Sequence, residues 1–141
     1  MPETETLTEM LIRHEGLRLK PYYCPSGKLT IGVGRNLDDV GISSSEAMAM
    51  LGADVARCLR GVLSELPWAY RLDSARLNAL VMMAFNLGVS GLLGFGHMLD
   101  AVERGNYLQA ANHMMDSRWA KQVGHRAVEL AEIMRTGKGV R

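Results

Sequence analysis

The sequence predicts an α+β fold, mostly helical, with a small N-terminal antiparallel sheet lobe and a long linking helix. Three observations carry that prediction. Capping signatures at Thr6–Glu9 and Ser43–Glu46 each open a helical pattern, the side-chain oxygen serving a free backbone N–H and the carboxylate reaching back. The alternating residues Leu29, Ile31 and Val33 follow a Cys-Pro-Ser-Gly turn and form the one clear strand signal. Beyond Asp73, apolar residues recur at helical spacing almost to the end of the chain. A length of 141 residues is enough for one domain with a real core.

In chain order, Thr6 starts the first helix, Leu7, Met10, Leu11 and His14 share one face, and Gly16 ends it. Glu15 therefore sits at a helix C-terminus, where the helix dipole disfavours a negative charge, a setting that suits a proton donor. A hairpin follows. Tyr22 and Tyr23 lead into the turn Cys24-Pro25-Ser26-Gly27, and the return strand is expected over Lys28–Gly34. Pro25 presets φ and Gly27 takes the dihedrals that other residues avoid. Gly32 and Gly34 weaken a strand, and are expected where backbone lies close to another group.

After the loop Asn-Leu-Asp-Asp-Val-Gly, Ser43 opens a helix reaching about Leu66, where Pro67 stops it. Asp73 or Ser74 caps the next helix. Its stripe of Leu77, Leu80, Val81, Ala84 and Phe85 marks it as the buried central helix. The run Gly-Val-Ser-Gly-Leu-Leu-Gly-Phe-Gly reads as a glycine-rich corner. Further helices are expected at about 96–104, 106–115, 117–122 and 125–136, with Gly137 as a C-terminal cap. The whole chain, 1–141, is expected as one domain of two lobes. Residues 15–42 form the sheet lobe, 43–66 the linking helix, and 67–141 with the N-terminal helix the helical lobe.

Composition narrows the function classes. Hydrophobic content of 48%, charged content of 22% and a net charge of +1 are ordinary for a globular domain and give no reason to expect nucleic acid as a partner. The C-terminal stretch is locally basic, with Arg118, Lys121, Arg126, Arg135, Lys138 and Arg141 against Glu129 and Glu132. It fits either an anionic polymer or a plain solvated face. Two cysteines make no disulfide framework, and no Cys24–Cys58 bridge is expected. The acidic N-terminus has neither the basic nor the apolar region of a signal peptide. No uninterrupted apolar run approaches the ~20 residues of a membrane span, so no stable membrane association is expected. The four histidines are scattered without ligand spacing, so neither metal nor cofactor is expected.

Three residues draw attention as chemistry. Glu15 lies between a helix end and a glycine turn. Cys24 occupies a hairpin tip although cysteine prefers burial. Thr30 stands in the strand, where its β propensity alone would explain it. From the residues alone this is a candidate acid–base site, with surface decoration as the plain alternative.

The segment His14-Glu-Gly-Leu-Arg-Leu-Lys-Pro-Tyr-Tyr-Cys-Pro-Ser-Gly-Lys-Leu-Thr-Ile-Gly-Val-Gly-Arg-Asn-Leu37 strongly resembles the catalytic segment of phage lysozymes (endolysins) of the T-even phage lysozyme family, glycoside hydrolase family 24. That family's pattern is Glu, eight residues, Asp or Cys, five residues, Thr, matched here by Glu15, Cys24 and Thr30. Ala84–Phe95 resembles the family's central-helix end, and Ser117–Ala127 with Arg135–Gly137 its C-terminal signature. The resemblance implies a lysozyme-like fold and an N-acetylmuramidase (EC 3.2.1.17) cleaving the β-1,4 bond between N-acetylmuramic acid and N-acetylglucosamine. The partner would be the glycan strands of peptidoglycan, the protein a monomer. The implied route is from the host cytoplasm to the cell wall through a holin.

In this reading Glu15 is the general acid, Arg126 holds it in place, Thr30 orients a water and Cys24 assists as a neutral thiol or attacks as a thiolate. Phe85 matches a cleft aromatic of the family and is equally explained as a core residue; His113 falls near a family substrate contact, where the residue type differs. Trp119 and Tyr23 are expected as packing residues. Arg35 stands where the family often has His, in a loop shorter than usual. Two alternatives remain. One is a wall-binding protein of this fold with impaired turnover; the other is a lytic transglycosylase, against which the retained Thr30 argues.

Overall fold

The structure, a computed structural model, describes residues 4–139. It is α+β, with α1 (Leu7–Glu15), β1 (Arg18–Tyr23), β2 (Leu29–Gly32), β3 (Arg35–Asn36), α2 (Ser44–Glu65), a 3-10 turn at Pro67–Arg71, α3 (Ser74–Leu93), α4 (Gly96–Glu103), α5 (Tyr107–Met115), α6 (Arg118–Val123) and α7 (His125–Thr136). The chain divides into two compact units, Met1–Ala49 and Met50–Arg141.

In the first unit, Thr6 caps α1 by accepting from the Glu9 N–H at 3.1 Å. Gly16 ends the helix at φ +79°, its N–H returning to the Ile12 carbonyl. The sheet is antiparallel in the order β1-β2-β3. The expected strand Lys28–Gly34 is shorter than its alternation implied. It stops at Gly32, and a tight turn leads to β3, with Ile31 opposite Arg35 and Thr30 opposite Asn36. The glycines explain the difference: Gly32 and Gly34 both adopt φ +71°, which ends a strand and reverses the chain. Thr30, 3% exposed, is the one buried residue among those described in this unit.

The Ser43–Glu46 capping box is complete. Ser43 N–H donates to Glu46 Oε1 at 2.8 Å, and Glu46 N–H donates to Ser43 Oγ at 3.1 Å. The loop before it is held by its own side chains. Asp39 N–H donates to Asn36 Oδ1, and Leu29 N–H to Asp38 Oδ2.

In the second unit the core is built from Val62, Leu80, Met83, Leu92, Met98, Val102, Met114, Leu130 and Met134, all fully buried, with Trp119 beside them. Four of these are methionines, the unbranched side chains that fill irregular gaps. α5 packs on α4 and α7, and α3 packs on α7. Asp73 caps α3, accepting from the Arg76 N–H. The run expected as a glycine-rich corner is helical on both sides of a kink. Gly88 alone takes non-helical angles (φ 78°, ψ 158°), and helix resumes to Leu93. By length and composition alone α3 is apolar enough to cross a membrane, although Arg76, Asn78 and Asn86 interrupt it. Ala79, Leu80, Met83, Ala84 and Leu92 put much of that apolar content into the core.

Arg76 fastens the end of α7 to the start of α3. Its guanidinium donates to the carbonyls of Met134 and Arg135, pairs with Asp73 and lies 3.5 Å from the Tyr107 ring centroid. Asn106, Ser117 and Gly137 cap as expected, Gly137 at φ 71°.

Candidate active site

Glu15 is the last residue of α1, exposed, with its carboxyl against the turn between β2 and β3. A Cβ built on Gly34 would stand 3.1 Å from Glu15 Oε2 and 3.5 Å from its Cδ and Cγ. Of the two strand glycines expected near another group, Gly34 meets one. Gly32 has nothing within 4 Å of the corresponding position.

Cys24 and Thr30 meet at one acceptor. The Cys24 N–H donates to the Lys28 carbonyl at 2.9 Å, and the Thr30 hydroxyl donates to the same oxygen at 2.8 Å. β-Sheet register explains why: Tyr22 faces Thr30 and Tyr23 faces Leu29, so the turn must close at Lys28. The Thr30 hydroxyl is also, as the smallest cause of the lowered Cys24 pKa, a hydrogen-bonding group for the Cys24 thiolate, so its one proton is shared between these two acceptors and its oxygen keeps acceptor capacity.

The Cys24 thiol is half-buried, and its Sγ lies 3.1 Å from Ser26 Oγ. Its pKa is lowered from 9.0 to about 7, first by the Ser26 hydroxyl and then by hydrogen bonding from the backbone at Lys28. Few cations stand near it in sequence. The turn supplies hydrogen-bond donors in place of charge, and near neutral pH the thiolate is substantially populated. Ser26, two residues beyond Cys24 in a tight turn, was the signal available in the sequence, since short hydroxylated residues in turns bond locally. Both Cys24 and Cys58 are free thiols.

Arg35 is a clamp. Its guanidinium makes paired bonds to Glu46 at 2.9 and 2.7 Å and donates to the Gly41 carbonyl at 3.0 Å. This joins the turn after β2 to the first turn of α2. With Ser43 and Arg35 both serving it, Glu46 is held at a pKa of about 2, Arg35 being the larger cause.

The remaining candidates lie in the second unit. Phe85 and Arg126 line an open, mainly apolar pocket of about 610 Å³ together with Leu51, Val55, Met82 and Asn86. Phe85 is half-exposed there, which separates it from the plain core residues of its stripe. His113 lines a smaller pocket of about 170 Å³ with His97, the two rings stacked with centroids 5.9 Å apart. Trp119 packs as expected, buried against Phe95 edge-on and donating its Nε1–H to Asn86 Oδ1 at 2.9 Å. Tyr23 does not. It is 74% exposed, because alternation along β1 turns it away from the partner strand's covered face. Among the described residues no group of three or more His, Cys, Asp or Glu is arranged to hold a metal.

The family model described as phage lysozyme matches residues 12–135. The chain is 31% identical to the pre-baseplate central spike protein Gp5 of Enterobacteria phage T4 over 94% of its own length, and spans 28% of that protein. It is 27% identical to a probable T4-type lysozyme 1 of Dictyostelium discoideum, covering 94% of this chain and 95% of that one. It is 30% identical to an endolysin of Acyrthosiphon pisum secondary endosymbiont phage 1, covering 79% of this chain and 75% of that one.

Proposed function

The chain belongs to the phage lysozyme family, and from that premise we propose that it is a peptidoglycan hydrolase of the lysozyme type. The finer reading is an N-acetylmuramidase, EC 3.2.1.17, that cuts the β-1,4 bond between N-acetylmuramic acid and N-acetylglucosamine during host lysis. The observation that carries the reading is the first unit's geometry: one short sheet holds Cys24 and Thr30 on a shared carbonyl and sets its following turn against the Glu15 carboxyl.

Glu15 acts as general acid and gives its proton to the glycosidic oxygen as the bond to the sugar's anomeric carbon breaks. Thr30 accepts a hydrogen bond from the attacking water. Its own proton points to Lys28, which leaves the oxygen with acceptor capacity for that contact. Cys24 sits next to it. Arg126 takes the supporting role, and Phe85 and His113 contact substrate. The substrate is the glycan strand, and no cofactor takes part.

The depressed pKa of Cys24 favours a second account of the same step. As a thiolate it attacks the anomeric carbon, forms a thioglycosyl intermediate and is displaced by water, which leaves the anomeric configuration retained. The same reading has two lobes with 43–66 as linking helix, a monomer, and passage from host cytoplasm to cell wall through a holin.

The test is lysis of purified cell wall by the wild type and by Glu15→Gln, with proton NMR of the released anomeric centre. Clearing by the wild type alone is the expected result. Equal clearing by both, or by neither, goes against hydrolysis through Glu15, and the latter leaves a wall-binding protein. An anhydro product identifies a lytic transglycosylase instead. A retained configuration selects the thiolate account, an inverted one the water held by Thr30.

A further inference from the structure

We infer that Gly34 is a positioning residue for Glu15: its bare α-carbon is the wall on which the acid's carboxyl rests. The inference rests on the reading of Glu15 as general acid. Glu15 is exposed at the end of α1, and its carboxylate has no hydrogen-bond or ion-pair partner among the described residues of the first unit. A glutamate so placed has three side-chain torsions to distribute among several wells. Chemistry at a glycosidic oxygen requires it in one of them.

Within the first unit the restraint on Glu15 is steric. The distances from a Cβ built on Gly34, 3.1 Å to Oε2 and 3.5 Å to both Cδ and Cγ, show the outer part of the side chain lying along that α-carbon. A Cβ at 34 would crowd the carboxyl, which would have to give by a few tenths of an ångström or turn to another rotamer.

The wall itself is anchored. Pairing of Ile31 with Arg35 closes the turn that holds Gly34. Arg35 is then pinned by Glu46 and the Gly41 carbonyl. On the other side, the Gly16 N–H closes α1 onto Ile12 at 2.8 Å and fixes where Glu15 leaves the helix. The acid is therefore held between a helix end and a clamped turn, and Arg35 and Glu46 act through Gly34.

Gly32 separates this role from ordinary turn chemistry. It has the same φ of +71° two residues earlier and nothing within 4 Å of its Cβ position. Alanine at 32 or 34 meets the same left-handed strain, but only at 34 does it meet Glu15. Asparagine, which tolerates that backbone region, relieves the strain while keeping the Cβ. The four variants Gly32→Ala, Gly32→Asn, Gly34→Ala and Gly34→Asn are compared with wild type for thermal stability and for steady-state turnover of soluble peptidoglycan fragments.

The expected result is a kcat loss on the order of 10²-fold for both Gly34 variants, with KM held within about twofold. Both Gly32 variants should stay within about threefold of wild-type kcat. A crystal structure of Gly34→Asn should show the Glu15 carboxyl displaced by about 1 Å or more. Matching kcat losses at 32 and 34, a loss confined to KM, or an unmoved carboxyl each overturn the inference. Turnover surviving in Glu15→Gln overturns the general-acid reading and this inference with it. An unmoved carboxyl beside an inactive Glu15→Gln overturns the positioning role alone.

Discussion

Cys24 and Thr30 donate to one and the same oxygen, the carbonyl of Lys28, at 2.9 and 2.8 Å. Backbone of one and side chain of the other are thus fixed by a single peptide group at the closed end of a hairpin. Anything that moves Lys28 moves both.

Thr30→Val keeps the shape and β-branching of a buried residue and removes the bond to Lys28. The carbonyl retains the Cys24 N–H, so the loss of stability should be modest, about 1 kcal/mol. Lysis should fall much further, by roughly tenfold or more, if the hydroxyl oxygen holds the attacking water. Denaturant unfolding and turbidity decay of a wall suspension measure the two effects. A variant that is destabilised yet lyses at the wild-type rate would confine Thr30 to structure.

The Cys24 thiol should titrate near pH 7. Iodoacetamide modification of Cys24, followed by peptide mass spectrometry, should rise with a midpoint there, with Cys58 as an internal comparison. Ser26→Ala removes the largest cause of the shift and should carry the midpoint upward. The folded-state value is depressed, so the stability contributed by the thiolate is fully present above pH 9.0 and is lost as pH falls through about 7. A midpoint unmoved by Ser26→Ala would reject the hydroxyl as the cause.

Acid should weaken the first unit through Glu46. Its carboxyl is depressed from 4.5 to about 2, mainly by Arg35, so its contribution is complete above pH 4.5 and fades as pH falls toward 2. Glu46→Gln should lower Tm at neutral pH and flatten the decline over that window. If wild type and variant lose Tm in parallel between pH 4.5 and 2, the clamp is not what acid dissolves.

Arg76 joins distant parts of the second unit, reaching the carbonyls of Met134 and Arg135 and the face of Tyr107 with a side chain that is 14% exposed. Arg76→Ala should destabilise by about 2 to 3 kcal/mol, from the cation–π contact and the lost carbonyl bonds together. Arg76→Lys keeps the charge without the planar fork and should recover only part of this. Equal stability of Lys and Arg at 76 in a denaturant titration would show that charge alone is sufficient.

Local rules account for what the sequence determined by itself. Helix ends at Thr6, Ser43, Asp73, Asn106, Ser117 and Gly137 were legible because a cap needs only neighbours three or four residues away. Family membership and the order Glu15, Cys24, Thr30 were legible because spacing survives in one dimension. Tertiary structure alone decided the rest. A glycine announces freedom of φ without saying how it will be used, so Gly34 meeting Glu15, Gly32 meeting nothing and Gly88 kinking α3 all followed from where the chain folds back. The same holds for the third strand, for Arg35 turning to Glu46, and for the acidity of Cys24. Each depends on distances between groups that the sequence only lists in order, and hydrogen bonds and steric contacts act over a few ångströms of space, whatever the separation along the chain.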